Sequence, residues 1–61
     1  MKNYFYKAIV TYDNKEKVYF SGVITIDAIN KAIEKIERKI LKEVENAEYV
    51  DGIFIENINR L

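Results

Sequence analysis

Side chains able to do covalent or acid–base chemistry are scarce in this chain, and none stands in a working arrangement. Histidine and cysteine are both absent, which removes the usual general base near neutral pH and the thiolate nucleophile. The hydroxyl groups are those of Thr11, Ser21, Thr25 and five tyrosines. Ser21 and Thr25 fall at outward strand positions with no base expected beside them, so they read as ordinary strand residues. Paired carboxylates can exchange protons, but Glu34, Glu37, Glu45 and Glu48 follow one flank of an exposed helix, where nothing excludes water. Gly22 and Gly52 lie too far apart to build a phosphate-cradling loop. Asp13 with Glu16 is too sparse for a metal-binding loop. The expectation is therefore a protein with no catalytic residue, no metal and no cofactor, working by contact and not as an enzyme.

Two surfaces could make such contacts. The first is a patch of Phe5, Ile9, Tyr19, Val23 and Phe54, interspersed with Lys7, Thr11, Ser21 and Thr25. Contiguous apolar patches tend to mark interfaces, and aromatic residues among polar ones suit that role. Its occupant is a second copy of the chain, a different protein, or single-stranded bases stacked on the aromatic rings. Stacking platforms usually carry several bases on the same face, and here Lys7 is the one expected. The second surface is a ridge of Lys31, Lys35, Arg38 and Lys42, at steps of four, three and four along a helix and opposite its isoleucine stripe, with Lys39 at its edge. Such a ridge could follow nucleic-acid phosphates. The same helix carries enough glutamate to read instead as a solvated face with mutual support, Glu34 to Arg38 and Lys39 to Glu43.

The elements that position these surfaces follow from hydrophobic spacing. Residues 3 to 12 and 18 to 26 alternate β-branched and aromatic side chains and read as two strands. The even positions Tyr4, Tyr6, Ala8, Val10, Tyr12, Val18, Phe20, Gly22, Ile24 and Ile26 form one apolar face, leaving Phe5, Ile9, Tyr19 and Val23 on the other. With residues 13 to 17 as the turn, Val10 faces Phe20, Ala8 faces Gly22 and Tyr6 faces Ile24. The small pair Ala8 and Gly22 then leaves a trough for the helix. Asp27 is the expected N-cap of a helix over about 28 to 46. Ile29, Ala32, Ile33, Ile36, Ile40, Val44 and Ala47 make its core-facing stripe. Asp51-Gly52 signals a turn or bulge before a last strand, Ile53 to Ile58. Glu56 should face water, which places Phe54 outward and Ile53 and Ile55 in the core. The expected fold is a single α+β domain over 1–61. It is β-β-α-β, a three-stranded antiparallel sheet in order 2-1-3, right-handed in its crossover, with one amphipathic helix on one face.

Composition agrees with a contact role. Chains this short often need disulfides or a structural metal, both ruled out by the missing ligands, so oligomerisation is the remaining device. Hydrophobic residues make up 49% of the chain, the material such an interface needs. Ten basic and ten acidic residues cancel, which disfavours binding to nucleic acid or anionic membrane through bulk charge. No apolar run is long enough to span a membrane and no signal peptide is evident, so the expected location is the cytoplasm.

In style the chain resembles small β-β-α-β proteins encoded by bacteriophages and mobile elements of AT-rich Gram-positive bacteria. The resemblance lies in the hairpin Tyr4–Ile26, the isoleucine helix Asp27–Ala47 and the closing segment Asp51-Gly52-Ile53-Phe54-Ile55, together with frequent Lys, Ile and Asn. It implies an inhibitor of a host protein, defence systems included, acting in the host cytoplasm as a homodimer. No functional residue carries over from it. Apart from the resemblance, a structural or assembly component with no inhibitory role is the remaining possibility.

Overall fold

The computed structural model describes all of residues 1–61. It holds three strands, β1 (Lys2–Tyr12), β2 (Lys17–Ile26) and β3 (Val50–Arg60), with one α-helix, α1 (Ala32–Glu43), between β2 and β3. Short 3-10 turns at Ile29–Lys31 and Ala47–Tyr49 lead into and out of the helix. The sheet is antiparallel in order β2-β1-β3, and the helix packs on one face of it, the α+β arrangement expected from the pattern. Tyr6, Ala8, Val10, Ile24 and Ile26 of the sheet and Ala32, Ile36 and Ile40 of α1 form the buried core.

The hairpin register differs by two residues from the expected one. Val10 stands opposite Val18, Ala8 opposite Phe20 and Tyr6 opposite Gly22. A shift of two keeps every side chain on its face, so the even positions still point inward. The turn sets the difference. Tyr12 N–H donates to the Glu16 carbonyl at 2.9 Å and Lys15 N–H to the Tyr12 carbonyl at 3.0 Å, closing a three-residue loop. Loops of that length end on a residue in the left-handed region, and Lys15 occupies it with φ 75°. The Asn14 side-chain oxygen accepts from Glu16 N–H at 3.0 Å and stiffens the same loop. A consequence is that the space over Gly22 belongs to the Tyr6 ring. A Cβ on Gly22 would sit 3.1 Å from the Tyr6 Oη and 3.2 Å from its Cε1. The trough expected between Ala8 and Gly22 for the helix does not form.

In β3 the pairing jumps between Ala8 opposite Ile55 and Lys7 opposite Asn57, leaving Glu56 as the extra residue of a bulge. The bulge switches the alternation. Ile53, Ile55 and Ile58 all pack against the core, while Phe54 lies outward as expected. A second irregularity follows Thr11, where Gly52 and Val50 take successive partners around Asp51. Asp51-Gly52 is thus a bulge within the strand and not a turn before it.

The helix is shorter than expected, and Asp27 does not cap it. Ala28, in extended backbone, precedes the 3-10 turn, and no side chain caps either helical segment. The chain must climb from the edge strand to the inner face at this point, and the tight turn absorbs that change of direction. Val44 returns to extended backbone and Asn46 adopts the left-handed region at φ 55°. Asn is among the few residues that tolerate this conformation. The Tyr12 hydroxyl donates to the Glu45 carbonyl at 2.7 Å and pins the exit. The helix also lies off-centre, nearest β2. Lys35 Nζ donates to the Thr25 carbonyl and Lys39 Nζ to the Val23 carbonyl, at 3.1 Å for the latter. This lean leaves Ile29 and Ile33, expected in the buried stripe, 53% and 55% exposed.

Candidate functional site

The outer face of the sheet brings the five patch residues together in cross-strand rows. Tyr19, Ile9 and Phe54 form one row across β2, β1 and β3. Ser21, Lys7 and Asn57 form the next, and Val23, Phe5 and Asn59 the third. Directly opposed side chains on one face of an antiparallel pair lie within contact range, so the rows make a continuous surface. Phe5 and Ile9, on the central strand, are half-buried by these flanking residues. Tyr19 and Phe54 remain 69% and 64% exposed, since α1 packs on the opposite face. Beside this core, Thr25 Oγ1 donates to Asn3 Oδ1 at 2.7 Å and ties the end of the hairpin together.

Two bases lie on this face. Lys7 sits in the middle of the patch, and Lys17, opposite Thr11 at the margin, adds a second base that the sequence reading did not count. Neither has a carboxylate within ion-pair distance; the ion pair of this molecule is Glu34 with Arg38. The sequence reading also missed Asn57 and Asn59, which the Glu56 bulge brings to the outer face. The spacing of three between Ile55 and Ile58 was the available signal, because a regular strand cannot place both inward.

The ridge on α1 is built differently from the expectation. Lys31, Lys35, Arg38 and Lys42 line an open cleft of about 590 Å³ on the β2 side of the helix, with Lys39, Glu34, Thr25, Ile26 and Asp27. They therefore flank the buried stripe and do not stand opposite it. Arg38 is engaged by Glu34 one turn away, and Lys35 and Lys39 hold the edge carbonyls of β2. The expected pair of Lys39 with Glu43 is replaced by that edge contact. Lys31 and Lys42 are the members without such partners.

The candidate reactive groups remain dispersed. No hydrogen bond joins Ser21 to its cross-strand neighbour Lys7, and both are exposed to solvent. No three acidic side chains gather into one cluster. Burial, reinforced by the negative charge of Glu43, pushes the Tyr6 hydroxyl pKa up. Tyr6 is nonetheless a core residue, with the Lys39 ammonium 5.8 Å from its ring centroid, within cation–π range. No helix is long and apolar enough to cross a membrane. No protein-family model, curated protein or solved structure matches the chain.

Proposed function

We propose that this chain is a non-enzymatic protein-interaction module that binds, and thereby blocks or organises, a different protein through the outer face of its sheet. The observation that carries this reading is the three-strand row Tyr19, Ile9 and Phe54 beside Phe5 and Val23, apolar and accessible on the face that α1 leaves open. Lys7, unpaired at the centre, calls for a carboxylate on the partner. A second copy of the same face would bring its own Lys7 and Lys17 instead, and like charges oppose that stacking. The resemblance to phage-type inhibitors supports a host protein as the target, met in the cytoplasm. Self-association belongs to the reading as well, through a surface other than this one.

Capture from a bacterial lysate, followed by mass spectrometry, tests it. The double substitution Tyr19→Lys with Phe54→Lys alters two exposed side chains and leaves the core intact. The native chain is expected to retain a protein that the variant loses. Identical captured sets would remove the outer face from consideration. Binding of a labelled single-stranded oligonucleotide that disappears in the variant would assign the same face to nucleic acid.

A further inference from the structure

The two edges of the sheet are treated unequally. Unpaired edge strands invite another strand, and proteins blunt them with lysines, bulges or covering segments. The β2 edge is blunted: Lys35 and Lys39 reach down from α1 and occupy the carbonyls of Thr25 and Val23. The β3 edge, eleven residues long, has no element of the chain beyond it. The same lean of α1 that closes one edge bares the side nearest the other. Ile33 projects from the flank of α1 away from the lysines, Ile29 is exposed in the turn before it, and Ile53, Ile55 and Ile58 on β3 are only half-buried. The chain exposes 4492 Å², against about 4,100 Å² typical of a folded monomer of its mass.

We infer that a second copy of this chain pairs with the β3 edge, antiparallel and about a twofold axis, to give a six-stranded sheet with both helices on one face. The inference deepens the self-association in the reading above and leaves the outer face free for the other protein. The register follows from the bulge. Residues opposed across an antiparallel pair must share a face, which in a regular strand forbids an odd-numbered residue from meeting an even-numbered one about a twofold axis. The Glu56 bulge lifts that restriction. Ile53 opposes Ile58 of the second copy, both inward, and Phe54 opposes Asn57 of the second copy, both outward. A bulge ordinarily discourages edge pairing; here it lets the faces agree on both sides of the twofold axis, where Ile55 falls opposite Glu56, the extra residue of the bulge. The same register places Asp51 across from Arg60 of the second copy, and by symmetry this contact occurs twice. Ile33 then overhangs the joined β3 strands from each side and narrows the apolar trench between the helices.

The test is a charge exchange read by sedimentation equilibrium, at about 100 μM chain, well above a micromolar Kd. The native chain is expected at twice its 7.2 kDa mass. Asp51→Arg alone, or Arg60→Asp alone, turns both attractive contacts into repulsive ones and should weaken the dimer about thirtyfold. Mixing those two variants, or combining both substitutions in one chain, should restore it. That restoration also shows that the single variants are folded. A native chain that sediments as a monomer overturns the inference, and so does a dimer indifferent to both single substitutions. Loss of the dimer in Tyr19→Lys alone, on β2 at the far edge of the sheet from β3, would place self-association on the outer face instead. Because Tyr19 lies on β2, remote from the Asp51 and Arg60 contacts on β3, the edge pairing and the outer-face reading fail separately.

Discussion

Replacing Gly22 with alanine is the sharpest probe of how the sheet is assembled. The new Cβ would meet the Tyr6 ring at 3.1 Å from Oη, 3.2 Å from Cε1 and 3.3 Å from Cζ, each inside the about 3.5–4.0 Å of a favourable contact. Tyr6 is 1% exposed, and a rigid ring held in the core yields less readily than the tip of a flexible chain. Overpacking of this kind costs about 1–3 kcal/mol. Losing a glycine returns about 0.4–1 kcal/mol by restricting the unfolded chain. The balance is a net loss of about 1 kcal/mol, or a fall in Tm of about 4–8 °C for a domain of this size. Urea and thermal unfolding followed by circular dichroism, at fixed chain concentration, would measure it. Tyr6→Phe removes the atom nearest the new methyl, so the two substitutions should couple by about 0.5–1 kcal/mol in a double-mutant cycle. Had Ala8 faced Gly22, the methyl would have entered the trough expected beneath the helix and would have shown no coupling to Tyr6→Phe. A Gly22→Ala variant as stable as the native chain, with no coupling to Tyr6→Phe, would refute the observed register.

Two further outcomes follow from the same geometry. The raised pKa of Tyr6 means that the folded protein holds this proton more tightly than the unfolded chain does. The stabilisation is therefore complete below the ordinary tyrosine value of about 10 and is lost as pH climbs through the raised folded-state value; urea midpoints should fall less steeply above that pH in Tyr6→Phe than in the native chain. Lys15 holds φ 75° with a Cβ, so Lys15→Gly should gain about 0.5–1 kcal/mol, and a loss of stability on that substitution would contradict the three-residue loop.

Most of the fold was legible because alternation and helical spacing are strong signals. The inward set Tyr6, Ala8, Val10, Ile24 and Ile26 and the helical core Ala32, Ile36 and Ile40 were readable directly from period two and period 3.6. The features that escaped notice are those in which a residue occupies a place its type does not advertise. Lys15 sits where glycine or asparagine is favoured, so the loop length and the register were misjudged. Glu56 breaks the alternation of β3 with nothing but an isoleucine spacing to mark it, so Asn57 and Asn59 were not placed on the outer face. Ile29 and Ile33 fit the stripe by angle. The helix nevertheless leans toward β2 through lysine contacts to backbone carbonyls, which no side-chain pattern encodes. The five patch residues were recoverable because strand parity alone decides which face they occupy, and a register shift of two leaves parity untouched.

A photo-crosslinking residue in place of Tyr19 addresses the central claim most directly, since that side chain is exposed at the β2 end of the Tyr19–Ile9–Phe54 row. Irradiated in a lysate of the host, it should join the chain to one protein of different mass, and Lys7→Glu in the same chain should abolish the adduct. Adducts only to a second copy, to nucleic acid, or to many proteins without preference would contradict a dedicated protein-binding face.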